Sequence, residues 1–199
     1  MILLGCSPYP ETACSSYSAS SSRPCATSAS FVIRLAIVLV AAGTATQTQR
    51  APLPQNLRVP EGQRLLVRAV ARGAQIYLCK PKASEPSAFE WSLKAPEAEL
   101  FDSSGAKIGH HFAGPTWESH DGSRVVGEVM ERSAVQGAIP WLLLRATSTD
   151  GAGVLAGVKY IQRVDTAGGV APSEGCDPTH AGAEVRVEYS ANYDFYGTR

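Results

Sequence analysis

The sequence predicts an all-β fold, either an antiparallel β-sandwich or a barrel-like single domain, with little helix. Residues with turn chemistry recur along the chain, among them Ser104-Gly105, Asp121-Gly122 and Asp150-Gly151. Together with the other turn residues of the domain, they recur at roughly the 8 to 12 residue spacing expected of an all-β sandwich or barrel. No capped stretch of about 12 residues carries apolar side chains at the three-and-four spacing of a packed helix. Extended segments are therefore expected to build the domain.

Each predicted strand is a short run rich in β-branched, aromatic or leucine residues between turn signals. Gly73 is interpreted as the turn of an opening hairpin, and Pro96 as the break between two short strands. Residues 130–136 are the candidate for a short helix. The predicted strands span 64–70, 75–79, 90–94, 98–101, 107–112, 116–119, 124–131, 141–147, 154–164, 184–189 and 193–196.

The N-terminal quarter of the chain has the pattern of an export signal. Arg34 is followed by an apolar run over 35–42 and then by the small residues Gly43-Thr44-Ala45, which predicts a signal peptide at 32–45. The apolar run is about half of the ~20 residues that a helix needs to cross a bilayer, so no stable membrane anchor is expected. We expect a secreted or periplasmic protein.

The segments around this signal are assigned by composition. Residues 1–31 are serine-rich and without periodicity, and we interpret them as a low-complexity extension that arises from a start codon assigned too early. Residues 46–56 contain Pro52 and Pro54 and are predicted to form an extended leader. The β domain is expected at 57–199.

Charge gives no indication of a polyanionic partner. Lysine plus arginine and aspartate plus glutamate both number 18, so the formal net charge is zero. Proteins that bind nucleic acid usually present a basic patch or stripe. No nucleic-acid partner is expected.

Two of the five cysteines, Cys79 and Cys176, follow the predicted signal peptide. An even pair in an exported protein is expected to form a disulfide bond. A loop of about 100 residues closed in this way stabilises the folded state by roughly 4 to 5 kcal/mol in chain-entropy terms. The alternative is a pair of buried free thiols.

The segment around the Asp121-Gly122 turn is rich in groups that can bind a metal. It holds His110, His111, Glu118, His120 and Asp121, and imidazole and carboxylate ligands suit zinc or a similar cation. Glu118 and His120 would share one face of a strand. The spacing matches no known metal motif, and a polar turn region explains the same residues. We therefore expect no metal or other cofactor and keep His111, Glu118 and His120 as candidate ligands.

Aromatic residues offer a second kind of site. Trp117, with Phe112 and Trp141, could form a platform for a sugar or another flat ligand, although core packing explains large aromatics equally well. Near the C-terminus, Tyr193 and Phe195 are expected to share one face of a strand and to pack. The candidate ligand-binding residues are accordingly His111, Trp117, Glu118, His120 and Asp121.

Residues 151–156 match the G-x-G-x-x-A form of a dinucleotide-binding loop. That site requires a helix whose N-terminus faces the pyrophosphate, whereas residues 158–164 continue as a strand. A hairpin loop explains these glycines better. The sequence also lacks G-x-S-x-G or another arrangement that places a base beside a nucleophile.

The sequence resembles one known family. The stretch 110–123 (HHFAGPTWESHDGS), together with 77–81 (YLCKP), 160–172 (YIQRVDTAGGVAP) and Gly175-Cys176, closely resembles the DUF3455 family from about residue 57 onward. The resemblance implies a secreted or periplasmic protein of bacterial or fungal type, without an established activity. It supplies no mechanism.

These observations favour an exported β domain that acts as a ligand-binding or cell-envelope and extracellular-matrix module. Its expected partner is an unknown small molecule, a glycan or an envelope component. One alternative is a secreted hydrolase or metal-dependent enzyme that uses residues 110–121. Another is a purely structural surface protein. Whether the domain is an enzyme is left open by the sequence.

Overall fold

A computed structural model describes residues 52–198 of the chain. The predicted extension at 1–31, the signal peptide at 32–45 and the first part of the leader lie outside these residues. Within residues 52–198, no helix has the length and apolar character that a membrane crossing requires.

Eight antiparallel strands close into a barrel in which each strand pairs with its neighbours in the sequence and the first pairs with the last. The predicted all-β antiparallel fold is confirmed in its barrel form. Short 3-10 helices lie at Gln55–Leu57 and Pro178–His180. The strands are β1 (Arg64–Pro81), β2 (Phe89–Phe101), β3 (Lys107–Phe112), β4 (Thr116–Ser119), β5 (Arg124–Val135), β6 (Ala138–Asp150), β7 (Val158–Gly168) and β8 (Glu184–Gly197).

Several predicted breaks are wrong because the barrel uses long continuous strands. The predicted turn at Gly73 lies in the middle of β1, where this glycine pairs with Ala98 of β2 and Tyr189 of β8. A Cβ atom at Gly73 would lie 2.1 Å from the carbonyl oxygen of Glu97, so glycine permits a close approach between strands here. β2 likewise continues through Pro96, and β8 joins the two predicted C-terminal strands.

The predicted short helix at 130–136 is also wrong, since β5 continues to Val135. Two register shifts, between Val129 and Glu131 and between Ser133 and Val135, interrupt the regular pairing of β5 with β6. Such bulges break the two-residue alternation that marks a strand in the sequence. The strand predicted to start at residue 154 begins only at Val158.

The main core lies inside the barrel. It includes Trp117, Val125, Ile161, Tyr193 and Phe195, each of which is at least 99% buried. The prediction that Tyr193 and Phe195 pack from one face of a strand is confirmed.

A second cluster lies outside the barrel wall and explains why all of residues 141–144 are buried. Leu142 and Leu144 belong to the inner core, whereas Trp141 and Leu143 pack with Leu57. Leu53, in the predicted leader, also packs against this outer cluster. The N-terminal segment thus covers the outer face of β6.

The connection between β7 and β8 is joined to β1 by the Cys79–Cys176 disulfide, which links residues 97 positions apart and confirms the predicted pairing. Backbone hydrogen bonds from Cys79 N to Ala183 O and from Gly182 N to Cys79 O add to this link. Trp91 Nε1 of β2 also donates to the carbonyl oxygen of Glu174, at 2.8 Å. This connection is therefore attached to the barrel at the end where β1 finishes and β2 begins.

Candidate ligand-binding site

A cavity of about 260 Å³ occupies one half of the barrel, at the end where β1, β3 and β5 finish and β2, β4 and β6 begin. Leu93 lines this cavity and is 54% exposed, which places the opening at this end. The wall is mainly apolar, and its aliphatic residues include Val129, Ile139, Leu142 and Leu144.

Four buried side chains with polar atoms interrupt the apolar wall: Gln75, His111, Trp117 and Tyr193, each at most 3% exposed. Within residues 52–198, six buried side-chain polar atoms have no hydrogen-bond partner, and three of them line this cavity: Gln75 Nε2, Trp117 Nε1 and the Tyr193 hydroxyl. The other three, Gln63 Oε1, Trp141 Nε1 and the Tyr189 hydroxyl, lie outside the cavity lining. Leaving one buried polar group unpaired costs about 1 to 3 kcal/mol. Three such atoms around one cavity indicate a place where a polar group of a ligand would be satisfied.

His111 is held in one tautomer by its surroundings. Its Nδ1 lies 2.8 Å from the carbonyl oxygen of Thr116, which can only accept, so Nδ1 carries the proton. Burial, opposed by this hydrogen bond, lowers the pKa of His111 to about 3, and the positive charge of Arg163 contributes to the lowering. The imidazole is therefore neutral at physiological pH, with Nε2 as an acceptor.

Arg163 is an inward-facing cation on β7. In the strand register it lies opposite Tyr193 of β8 and Leu142 of β6, both of which line the cavity. Its Nε and Nη2 donate to the carbonyl oxygen of Pro140 at 3.1 and 2.9 Å. No carboxylate of the described chain pairs with it. Arg132 lines the same cavity, and none of the lining residues is aspartate or glutamate.

Tyr193 lies close to the positive charge of Arg163 and to the aromatic rings of His111 and Trp117. Burial raises the pKa of its phenol, while the nearby Arg163 acts in the opposite direction. Tyr189 and Arg163 both influence this hydroxyl, but neither meets it with normal hydrogen-bond geometry. By contrast, the Tyr77 hydroxyl donates to the carbonyl oxygen of Gly169 at 2.6 Å and is satisfied.

The structure separates the residues predicted to form one site. His111 and Trp117 lie opposite each other in the β3–β4 register and face the cavity. Glu118 belongs to the other side of β4, where it forms an ion pair with Arg124 at 2.6 Å. His120 is exposed in the turn after β4. Within residues 52–198, no three histidine, cysteine, aspartate or glutamate side chains come together as metal ligands would.

Asp121 organises the opposite end of the barrel. Its Oδ1 accepts from the backbone and hydroxyl of Ser123, and its Oδ2 accepts from the backbone N–H of Val154. These bonds lower the pKa of Asp121 to about 2. A Cβ atom at Gly153 would lie 2.2 Å from this carboxylate, which explains one glycine of the dinucleotide-like pattern. That pattern is a structural loop between β6 and β7.

The three aromatic residues considered as a platform do not assemble. Trp117 belongs to the inner core and Trp141 to the cluster outside the barrel. Phe112 stacks on His110, with ring centroids 5.1 Å apart. Trp117 therefore contributes to the cavity wall, and not to an exposed flat surface.

Sequence reasoning missed Gln75, Arg163 and Tyr193 as site residues. A signal existed in β7, since Ile161 is a core residue and Arg163 lies two positions later on the same face of the strand. A charged residue at an inward position suggests a functional role. The signal could be used only once the register of β7 in the barrel was known.

Comparison with known proteins identifies a family for the chain but assigns no activity. The model of the family described as "Protein of unknown function (DUF3455)" matches residues 60–197. No curated protein and no solved structure shows significant similarity to the chain.

Proposed function

The chain belongs to the DUF3455 family, whose description assigns no activity, and we propose from the cavity that it is an exported binding protein for a small molecule. The proposed ligand is mostly apolar and carries one group that accepts hydrogen bonds. It would occupy the interior of the barrel, where all eight strands contribute lining residues.

The three unpartnered polar atoms carry this proposal. Gln75 Nε2, Trp117 Nε1 and the Tyr193 hydroxyl can each donate a hydrogen bond, and all three residues line the cavity. Small-molecule sites typically combine an apolar wall with a few convergent polar groups. A purely structural barrel would gain stability from apolar residues at these positions, because each unpaired group costs free energy.

The cavity volume limits the size of the ligand. At about 260 Å³ the cavity lies just below the range of roughly 300 to 1,000 Å³ that is usual for small-molecule sites. A monocyclic compound or a short aliphatic chain fits this volume better than an oligosaccharide does. The proposal therefore favours a small organic molecule over a glycan.

The cavity chemistry favours binding over catalysis. His111 is the only histidine among the cavity-lining residues, and a pKa of about 3 makes it a weak base near neutral pH. Arg163 is a hydrogen-bond donor without an acceptor atom, so it does not serve as a base. Neither residue is in contact with a serine or cysteine nucleophile in the cavity wall.

Export of the protein is part of the proposal, and two observations support it. The Cys79–Cys176 disulfide is typical of proteins that fold in an oxidising compartment. The charged, apolar and small-residue order at 32–45 is typical of a secretory signal. Detection of the processed chain in the periplasm or culture medium of the native host would test this half of the proposal.

The proposal that the protein binds a small molecule is tested by native mass spectrometry of the processed protein, purified without chelators or an affinity tag. We expect a small organic molecule to be retained, and Val129→Phe, which fills the cavity, to lose it. Val126 lies on the same strand outside the cavity lining, so Val126→Phe is the matched control and should retain the ligand. Equal retention of the ligand by both variants would contradict the proposal. So would a protein that is purified without a ligand and binds neither benzoate, benzamide nor phenylphosphonate.

A further inference from the structure

Resting on the proposed function, we infer that the ligand is a small apolar carboxylate whose anionic group binds Arg163 inside the barrel. The Tyr193 hydroxyl, the Gln75 amide and the Trp117 indole N–H supply further donors for that group. Arg163 is thus assigned as the residue that selects an anionic ligand over a neutral one.

Arg163 has no ion-pair partner within residues 52–198, as is true of several other arginines, but its side chain lines the cavity. Arg68, Arg124, Arg145 and Arg186 each meet a carboxylate within 3.0 Å. Arg163 faces the cavity, donates to the carbonyl oxygen of Pro140 and lies beside Tyr193. With no carboxylate beside it, the Arg163 charge is available to pair with an anionic group that enters the cavity.

The charge of Arg163 acts on the centre of the cavity. It influences the pKa values of Tyr77, His111 and Tyr193, which all line the cavity, and that of Tyr189. No lining residue carries a negative charge, and Arg132 adds a second positive charge to the lining. A neutral His111 neither adds to this field nor opposes it. The cavity therefore presents a positive potential to any molecule that enters.

The inventory of donors and acceptors points to the same ligand group. Arginine has five N–H donors, and two bonds to Pro140 leave three for a ligand. Gln75 Nε2, Trp117 Nε1 and the Tyr193 hydroxyl add three more groups that can donate. An ionised carboxylate only accepts hydrogen bonds, with about four lone-pair sites, and so matches a wall that mainly donates.

The geometry of the Arg163 guanidinium group and the aliphatic wall of the cavity narrow the class of ligand further. The planar guanidinium fork matches the planar carboxylate, which it can bind through two parallel N–H groups. Val129, Ile139, Leu142 and Leu144 surround the remaining volume with aliphatic surface. An aromatic or short aliphatic monocarboxylate combines these two features in one molecule.

The test uses calorimetric titration of the full processed protein with benzoate, its neutral analogue benzamide, and phenylphosphonate. We expect benzoate to bind at least tenfold more tightly than benzamide, and phenylphosphonate to bind more weakly than benzoate. Arg163→Met should remove the preference for benzoate, whereas Arg163→Lys should keep a preference for the anion. Arg145 belongs to β6 and pairs with Glu128 outside the cavity, so Arg145→Gln is the control and should leave all three affinities unchanged.

The outcomes separate the ligand class from the binding function. If benzamide binds as tightly as benzoate, or if Arg163→Met keeps the tenfold preference, the carboxylate assignment is wrong while cavity binding stands. Tightest binding by phenylphosphonate would overturn the choice of carboxylate among oxyanions. If none of the three binds and no small molecule is retained from the host, both the inference and the proposed function fail. Should Arg163→Met not fold, the wild-type ranking and Arg163→Lys decide the question.

Discussion

His111 stacks on Trp117 inside the barrel, with ring centroids 4.4 Å apart and ring planes within 8° of each other. The two residues lie directly opposite each other on β3 and β4, and Tyr193 makes a T-shaped contact with each of them. A neutral imidazole packs in this position as an aromatic ring. The stack therefore joins the hydrophobic core to the polar wall of the cavity.

His111 should make the protein less stable in mild acid. Its pKa is 6.5 when unfolded and about 3 when folded, so between these values only the unfolded chain binds the proton. Its contribution to stability is therefore present above pH 6.5 and is lost as the pH falls toward 3. The expected loss is about 2 kcal/mol between pH 7 and pH 5. His111→Phe keeps a ring against Trp117 and should remove this loss in urea unfolding at the two pH values.

The control for His111→Phe is His120→Gln, because His120 is exposed. This variant should keep the pH dependence of the wild type. An unchanged pH dependence in His111→Phe would show that His111 is protonated in the folded protein.

The two tyrosines of the cavity should respond differently to loss of their hydroxyl groups. Tyr193→Phe removes a group without a hydrogen-bond partner, so the free energy of unfolding should stay the same or rise by up to about 1 kcal/mol. Tyr77→Phe removes the bond to Gly169 and should cost about 1 to 2 kcal/mol. Denaturant unfolding of the ligand-free protein measures both. A larger loss for Tyr193→Phe would mean that its hydroxyl is paired in solution.

Reduction of the Cys79–Cys176 bond should destabilise the barrel by about 2 to 5 kcal/mol, since the unfolded chain then loses a loop constraint. The double variant Cys79→Ser, Cys176→Ser should show the same loss in urea unfolding without reductant. Adding reductant to this variant is the control and should change nothing. A double variant as stable as the oxidised wild type would contradict the prediction.

Asp121 should act on the loop between β6 and β7 and not on the cavity. Asp121→Ala removes the acceptors for Ser123 and for the N–H of Val154, so hydrogen exchange at Val154 should become faster. Affinity for benzoate should not change, because Asp121 lies at the opposite end of the barrel. His120→Ala, at the neighbouring exposed position, should leave exchange at Val154 as in the wild type. Loss of benzoate binding in Asp121→Ala would instead favour a site around residues 110–121.

Gly73 should tolerate no side chain. The Cβ atom of Gly73→Ala would overlap the backbone of Glu97 and Ala98, and overpacking of this kind costs about 1 to 3 kcal/mol. Gly62 has φ +83° and open space around it, so Gly62→Ala carries only the backbone cost of roughly 1 to 2 kcal/mol. Thermal unfolding of both variants should rank Gly73→Ala as the less stable. The reverse order would show that β1 and β2 can move apart at this point.

Local chemistry was enough to predict the fold class and the disulfide. Turn pairs such as Asp121-Gly122 and the alternation of Tyr193 and Phe195 are properties of neighbouring residues, so they can be read from the sequence. The pairing of Cys79 with Cys176 followed from the small number of cysteines after the predicted signal peptide. Strand lengths did not follow, because Gly73 and Pro96 are tolerated within long strands only through the pairing of β1 with its neighbours.

The candidate site was decided by tertiary structure. His111 and Trp117 were identified from the sequence. Glu118, His120 and Asp121 are near them in the sequence but do not line the cavity in the folded protein. Barrel closure turns Glu118 outward and places Asp121 at the far end, and it brings Gln75, Arg163 and Tyr193 from β1, β7 and β8 to one cavity. Gln75 and Tyr193 are far apart in the sequence but meet in this wall, because strand pairing sets which side chains face the barrel interior. The sequence alone thus predicted a β domain with one disulfide, whereas only the closed barrel showed which residues line its cavity, because strand pairing decides which side chains face inward.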